Sequence, residues 1–399
     1  MPCAEANSCP RQRIDAHMNT VRPEVSLLLA CARTCLDAQR ANWIKSRLLQ
    51  DIEWPYLLRM ARIHGVTPLL YRTLNSTCPD AVPNPIFKEL RDHFYSNAGR
   101  NLFLAKELLK VVQFLAAHGI PAIPYKGPAL AASVYGNLAL REFGDLDILV
   151  RVRDYETAQH LLISQGFRRT VEHEWEVEFV DGSGRVAVDL HKRIASGNVP
   201  SPLSFNYLSK RLEPVNLTGT IVATLCPEDA LLMLSIQVTK DKNLQLAKIC
   251  DIAELLHVHQ HLNSARMLKQ TKRLGAQWML LYGVRLTSDL LGTAPPPELA
   301  CDMSFHPSVN GLIAHARRQM FHRDESIPEE RPADCLRWVM QQRVRDKLWR
   351  YLHDVVVPCE PDRRLLPLST KLSFLYYLVR LVRLTAKYGL LPIRRAMRP

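Results

Sequence analysis

The sequence has no run of about 18 uninterrupted apolar residues, the length that a membrane-spanning helix needs. It also shows no secretion signal, because the apolar stretch 27–31 is too short for one and is better interpreted as a helix interior. Its ten cysteines include no CxxC pair, so neither a disulfide framework nor a cysteine-based metal site is indicated. We therefore expect free thiols and a cytoplasmic protein.

Acidic residues are missing from segment 371–399, which carries seven lysines and arginines. The net charge of the whole chain is +13, which leaves +6 for all the other residues. Because much of the basicity is local to one segment, it gives no specific signal for nucleic-acid binding. Within the segment, apolar residues at helical spacing lie beside Arg380, Arg383 and Lys387, which predicts an amphipathic helix. Two interpretations stay open: docking onto the helical part of the protein, which we favour, or peripheral contact with an anionic membrane.

The 399 residues are enough for two or three domains, and changes in pattern divide them into four regions. Residues 1–20 are polar without periodicity, which predicts a disordered leader. Residues 21–118 have apolar clusters at helical spacing, interrupted by proline and glycine. Residues 119–225 contain short apolar runs typical of strands, and residues 226–399 return to a helical pattern that ends in the basic tail. The predicted fold class is α+β, with all-helical N- and C-terminal regions.

The strands of the third region are predicted from its apolar runs. Ile120–Tyr125 and Leu146–Val150 are short enough for buried strands, and Pro128 suits the first turn of a helix between them. Alternation over residues 171–179 predicts one strand with four glutamates on its solvated face. Residues 185–191 then return as another strand, on which Asp189 and its second neighbour His191 share the face opposite the core.

Two carboxylates stand two residues apart at Asp145 and Asp147, so a strand places them on the same face. Like charges held so close repel each other, which indicates a divalent cation between them. Nucleotidyl transfer uses such a site to grip a triphosphate and to activate the attacking hydroxyl. Asp189, on a separate strand, is the natural third acid. A solvated turn is the alternative interpretation of the pair, and the order of the surrounding elements favours the metal site.

Three segments carry a family resemblance: Tyr125–Leu130, Arg141–Val150 and Val188–His191. They resemble the polymerase-beta-like nucleotidyltransferase superfamily, in its uncharacterised branch with Lys-Gly in the first turn. The resemblance is strongest over residues 120–191 and weaker over 225–256. It implies that 119–225 is a nucleotidyltransferase core, a small mixed sheet flanked by helices, with the triphosphate on the turn after the first strand.

The resemblance further implies a Mg²⁺-dependent nucleotidyltransferase. It would move a nucleoside monophosphate from a nucleoside triphosphate, with ATP expected, to a small-molecule, peptide or protein acceptor. Asp145, Asp147 and Asp189 would be the catalytic residues and would hold the metal. The alternative is a catalytically degenerate module that binds nucleotide or a protein partner, associated with membrane through its basic tail.

Binding of the triphosphate is assigned to Lys126, Gly127 and Arg141. Better-known members carry Gly-Ser or Gly-Gly where this chain has Lys126 and Gly127. They also have fewer residues between this turn and Asp-x-Asp than the seventeen that separate Gly127 from Asp145 here. A lysine can bind phosphate as a point charge, and a glycine lets the backbone approach closely. His191 is a candidate for positioning substrate or for a structural role. Candidate acceptor bases are Asp229 and Asp251.

Overall fold

The structure is a computed structural model that describes residues 22–194, 203–241, 243–304, 308–321 and 375–385. The predicted leader lies outside these residues. The chain divides into two compact units, Met1–Met340 and Gln341–Pro399. No helix among the described ranges is both long enough and apolar enough to cross a bilayer.

Helices occupy the chain before the first strand, as predicted. Their bounds are α1 Pro23–Cys31, α2 Ala38–Leu48, α3 Trp54–Ile63, α4 Thr67–Thr77 and α5 Asn84–Ala117. The interruptions fall where the sequence places helix breakers. Pro55 lies in the first turn of α3, Gly65 follows its end with φ 64°, and a short turn at Pro79–Ala81 precedes α5.

The central region forms a five-stranded sheet in the order β1-β2-β5-β4-β3. Its strands are β1 Ala122–Pro124, β2 Asp145–Val150, β3 Arg168–Glu172, β4 Glu176–Val180 and β5 Ala187–His191. Strands β2 and β5 are parallel, whereas the other neighbours pair antiparallel. The sheet is therefore mixed, and the predicted α+β fold class is confirmed.

The single strand predicted over residues 171–179 is wrong. The alternating stretch contains the end of β3, a reversal and the start of β4, closed by the amide of His173 donating to the Glu176 carbonyl at 2.8 Å. Only Val177 and Phe179 of the stretch face the core. Period-two alternation continued across the turn, and such a pattern does not mark where a chain reverses.

The connections and the C-terminal helices complete the first unit. Helix α6 Gly127–Leu130 continues as a π-helical turn to Tyr135, and α7 Tyr155–Ser164 follows β2. Helix α8 Phe205–Leu208 precedes a separate hairpin, β6 Glu213–Leu217 with β7 Thr220–Thr224, which the sequence did not predict. The helices that follow confirm the predicted pattern: α9 Pro227–Lys240, α10 Leu246–Val258, α11 Ser264–Leu274, α12 Gln277–Leu291, α13 Pro297–Ser304 and α14 Ser308–Phe321.

The two faces of the sheet have different neighbours. Leu146 and Ile148 of β2 join an apolar cluster with Leu108 of α5 and Leu162 of α7. On the other face, Leu149 belongs to a larger cluster that includes residues of α1–α4 and α9–α12. The N- and C-terminal helices thus share one core beside the sheet. The domain boundaries after 118 and after 225 stay a prediction.

A buried ion pair joins the sheet region to helix α10. Arg141, just before β2, donates from Nε and Nη2 to the two oxygens of Asp251 at 2.9 and 3.0 Å, and the Tyr135 hydroxyl donates to the same carboxylate at 2.8 Å. The carboxyl group of Asp251 is 1 % exposed. Asn101 of α5 fixes the approach of this loop by donating to the carbonyls of Leu138 and Arg141.

In the second unit, helix α15 spans Tyr376–Thr385. It confirms helical structure for that part of the predicted amphipathic tail. The other residues of the tail, including Lys387, lie outside the described residues. The cysteines described in the structure, namely Cys31, Cys35, Cys78, Cys226, Cys250 and Cys301, are free thiols, as expected.

Replacing Asp251 by Asn is expected to lower the free energy of unfolding by about 3–5 kcal/mol, since it leaves the buried Arg141 guanidinium without its counter-charge. Urea denaturation measures the loss. Glu89→Gln, which breaks an exposed pair with Arg62, is the control and should change the free energy by no more than about 1 kcal/mol. Equal, small effects of both variants would contradict the role assigned to the Arg141–Asp251 pair.

Candidate active site

The strand register brings the predicted acids together. In the parallel pair β2–β5, Asp147 lies directly opposite Asp189, and Asp145 opposite Ala187. The antiparallel pair β4–β5 then sets Glu176 opposite His191. Directly paired residues and second neighbours along a strand share a face, so all these polar side chains lie on the side of the sheet opposite Leu146 and Ile148.

Lys126 supplies the positive charge of this face. Its Nζ donates to Oδ1 of Asp147 at 2.6 Å, and its side chain is 22 % exposed. Although burial opposes ionisation of both groups, the pairing prevails: the pKa of Lys126 is raised, and that of Asp147 is lowered by Lys126 and His191. The ammonium predicted to bind phosphate is thus bound in this structure to a predicted metal ligand, and phosphate binding by Lys126 stays a prediction.

The ionisation of Asp189 is opposed by its burial beside the other carboxylates. Its Oδ1 is buried without a hydrogen-bond partner. Burial, together with the neighbouring charges of Asp147 and Asp145, raises the pKa of Asp189 to about 8. The pKa of Asp145 is also raised, chiefly by Asp147 and then by burial. Without a cation, the face therefore accommodates its carboxyl groups by keeping a proton on Asp189 at neutral pH.

His191 lies deeper in the site than the sequence indicated. It is 3 % exposed, with Nε2 at 3.3 Å from Oδ1 of Asp147 and Nδ1 at 3.0 Å from Oε2 of Glu176. These approaches are close but poorly aligned, and neither ring nitrogen makes a hydrogen bond of good geometry. Ligand atoms of Asp147, Asp189 and His191 all lie within 4.8 Å of one another, a group that leaves out Asp145.

Two further residues of the site were missed by the sequence analysis. Tyr125 packs edge-on against the His191 ring with centroids 5.3 Å apart, and its buried hydroxyl has no hydrogen-bond partner. Burial and the charge of Asp147 raise its pKa well above the ordinary value. Glu176 was predicted as part of a solvated face and not as a contact of His191. The sequence did indicate that His191 shares a strand face with Asp189, because the two residues are separated by two positions. The contact of His191 with Glu176 depends on pairing between strands, which local spacing does not indicate.

Gly127 has a structural requirement of its own. Its φ is 50°, and a Cβ placed on it would lie 2.9 Å from the backbone oxygen of Asp145. A side chain would therefore push the turn away from β2. Close approach to phosphate is the reason for this glycine that the sequence predicts. Packing of the turn against β2 is a second reason, and phosphate binding by Gly127 stays a prediction.

Arg141 and the candidate acceptor bases are held by ion pairs. The guanidinium of Arg141 donates to Asp251 in this structure. The contact of Arg141 with phosphate stays a prediction. Asp251 is unsuitable as a base because Arg141 and Tyr135 occupy both oxygens of its buried carboxyl group. Asp229, in the first turn of α9, accepts from Arg211 at 2.8 Å and from the Cys226 thiol.

The donor set fits a divalent cation. Asp147 and Asp189 face each other across adjacent strands, and one buried carboxylate oxygen has no donor to satisfy it. Carboxylate oxygens are ligands for Mg²⁺ and Mn²⁺, and a cation between them would relieve the repulsion that raises the pKa of Asp189. Asp147 and Asp189 could therefore hold such an ion, with Asp145 beside them.

A family model described as an uncharacterised nucleotidyltransferase matches residues 50–292, which include every residue of the site. No curated protein matches the chain. The antibiotic-resistance factor ANT(2'')-Ia is similar in structure with 12 % identity and a TM-score of 0.31, covering 44 % of this chain and 97 % of that one. An antigenic nucleotidyltransferase-like protein from Paracoccidioides brasiliensis has 15 % identity and a TM-score of 0.28, with coverages of 45 % and 91 %. Both scores are low, and neither likeness bears on function.

Metal-free protein is expected to lose stability as pH rises. The pKa of Asp189 is about 8 in the folded protein and near its ordinary 3.8 in the unfolded chain. The contribution of Asp189 to the free energy of unfolding is therefore fully present below about pH 4. It is lost as pH rises through about 8, because the folded state binds one more proton than the unfolded state between these values. Melting temperature measured against pH in chelator should show this fall, and Asp189→Asn should flatten it.

The matched control is Asp92→Asn, an exposed carboxyl group on α5, which should keep the wild-type dependence on pH. An Asp189→Asn profile that follows the wild type would show that Asp189 does not hold the proton.

Proposed function

The chain belongs to the uncharacterised nucleotidyltransferase family, and from that premise we propose that it transfers a nucleoside monophosphate from a nucleoside triphosphate to an acceptor. ATP is the expected donor, and a small molecule, a peptide or a protein is the expected acceptor class. The proposal is carried by the carboxylates of Asp147 and Asp189, which oppose each other on parallel strands with a buried oxygen that has no partner.

The chain's own residues have distinct roles in this proposal. Asp145, Asp147 and Asp189 would hold the divalent cation, and this ion would neutralise triphosphate charge and lower the pKa of an attacking hydroxyl. Lys126 would bind a phosphate oxygen through the ammonium group that pairs with Asp147 in this structure. Gly127 keeps the turn close to β2, and Arg141 holds the start of β2 against α10.

A second candidate function has one observation in its favour. The Lys126–Asp147 pair places a permanent cation on a predicted metal ligand, and such a pair can stabilise a site that no longer binds metal. The protein would then be a nucleotide-binding module without turnover. The number of acids favours the first candidate, because a single lysine leaves Asp189 uncompensated.

Transfer of label from an α-³²P nucleoside triphosphate in the presence of divalent cation tests the proposed function. We expect Asp145→Asn and Asp189→Asn to lower the rate by more than about 100-fold, the scale of losing one group that stabilises transition-state charge. Both variants keep the Lys126–Asp147 pair. Asp147→Asn is less suitable because it would leave a mostly buried ammonium unpaired.

Asp92→Asn serves as the control for charge loss away from the site and should transfer label at the wild-type rate. Triphosphate binding without transfer to any acceptor in a broad panel would favour the non-catalytic module. Wild-type rates in Asp145→Asn or Asp189→Asn would remove that residue from the catalytic site.

Lys126→Met is expected to weaken triphosphate binding by about 10–100-fold at saturating divalent cation, because it removes one charge-assisted hydrogen bond. Binding of the corresponding nucleoside, which has no phosphate, should change little. Calorimetric titration of both ligands separates these effects. Equal losses for nucleoside and triphosphate would indicate damage to the turn, and unchanged triphosphate affinity would leave Lys126 as a structural partner of Asp147.

A further inference from the structure

His191 is the one member of the compact group of ligand atoms that is not a carboxylate. It lies at the end of β5, two residues from Asp189 and on the same face. The ring is almost fully buried, yet neither of its nitrogens has a well-aligned hydrogen-bond partner. A buried polar ring without aligned partners is costly, so its orientation calls for a physical reason.

Glu176 gives the ring a preferred tautomer. Its Oε2 lies 3.0 Å from Nδ1 of His191, and a carboxylate at that distance favours a proton on Nδ1. With the proton held on Nδ1, the lone pair of Nε2 is available to a cation. Nε2 lies 3.3 Å from Oδ1 of Asp147, so both atoms could bind one ion. A carboxylate that orients a histidine whose other nitrogen binds metal is a recurring arrangement in metal sites.

The spacing also agrees with one coordination sphere. Two ligands that are each about 2.0–2.2 Å from an ion lie at most about 4.4 Å apart. The ligand atoms of Asp147, Asp189 and His191 lie within 4.8 Å of one another. Side-chain adjustments of a few tenths of an ångström therefore bring all three onto one ion without moving the strands.

We propose that Nε2 of His191 is a direct metal ligand, and that this mixed nitrogen–oxygen site selects Mn²⁺ over Mg²⁺. The inference rests on the proposed function, because it concerns the same cation site. Mn²⁺ and Mg²⁺ both bind carboxylate oxygens, but the transition-metal ion Mn²⁺ accepts an imidazole nitrogen more readily than Mg²⁺, which prefers oxygen ligands and water. Glu176 is a positioning residue that fixes the ring, and Lys126 compensates Asp147 until the metal binds.

Pulsed electron paramagnetic resonance of Mn²⁺ bound to the full-length protein tests the proposal without relying on activity. A directly bound imidazole nitrogen produces a ¹⁴N modulation, which we expect in the wild type and not in His191→Asn. The control is His160→Asn, the same substitution at an exposed histidine on α7, which should keep the modulation. Absence of a ¹⁴N coupling from bound Mn²⁺ in the wild type would overturn the proposal even if every variant misfolded.

Calorimetric titration gives the second measurement. We expect His191→Asn to lower Mn²⁺ affinity by about 10–100-fold and Mg²⁺ affinity much less, and Glu176→Gln to have a smaller effect in the same direction. An unchanged ratio of the two affinities in His191→Asn overturns the selectivity. Metal-dependent transfer with no nitrogen coupling would refute His191 as ligand and leave the proposed function standing. If the protein neither binds a divalent cation nor transfers label, both His191 as a metal ligand and the proposed function are refuted.

Discussion

Asp147 and Asp189 face each other across the parallel strands β2 and β5, and the organisation of the site follows from how their charges are balanced. Parallel pairing without offset places the two carboxylates in the same row of the sheet, where separation by rotamer choice alone is limited. One charge is neutralised by Lys126 and the other is suppressed by a retained proton. Asp189 keeps its proton because the lysine bonds Asp147 and leaves the Asp189 carboxyl group without a positive partner.

The sheet tolerates these charges because its opposite face is apolar. Leu146, Ile148 and Val188 alternate with the acids and are fully buried against α5 and α7. Each such side chain contributes about 1.5–3 kcal/mol on burial. The alternation that brings the acids to one side therefore also supplies the packing that offsets their repulsion. A shift of the register by one residue would reverse both effects at once.

Local periodicity was sufficient to predict much of this arrangement. Spacing of two residues placed Asp145 with Asp147, and Asp189 with His191, on common faces before the strands were known to be neighbours. The hairpin at His173 and the pairing of Glu176 with His191 were not predictable, because alternation specifies a face and not a partner strand. The Arg141–Asp251 pair joins residues 110 positions apart, and nothing in either local sequence indicates the other. The helical regions, marked by proline and glycine, needed no such long-range information.

Lys126 links the stability of the metal-free chain to the proposed chemistry. An all-acid face with no internal cation would have to keep more protons or open toward solvent. The turn before α6 carries lysine here, where better-known nucleotidyltransferases carry a second small residue, and this lysine bonds the most buried of the three aspartates. A divalent cation that takes over the neutralisation of Asp147 would remove the reason for the ammonium to stay there. The residue that stabilises the metal-free site would then be free for an anionic ligand only when the metal is bound, so that metal and triphosphate binding would favour each other.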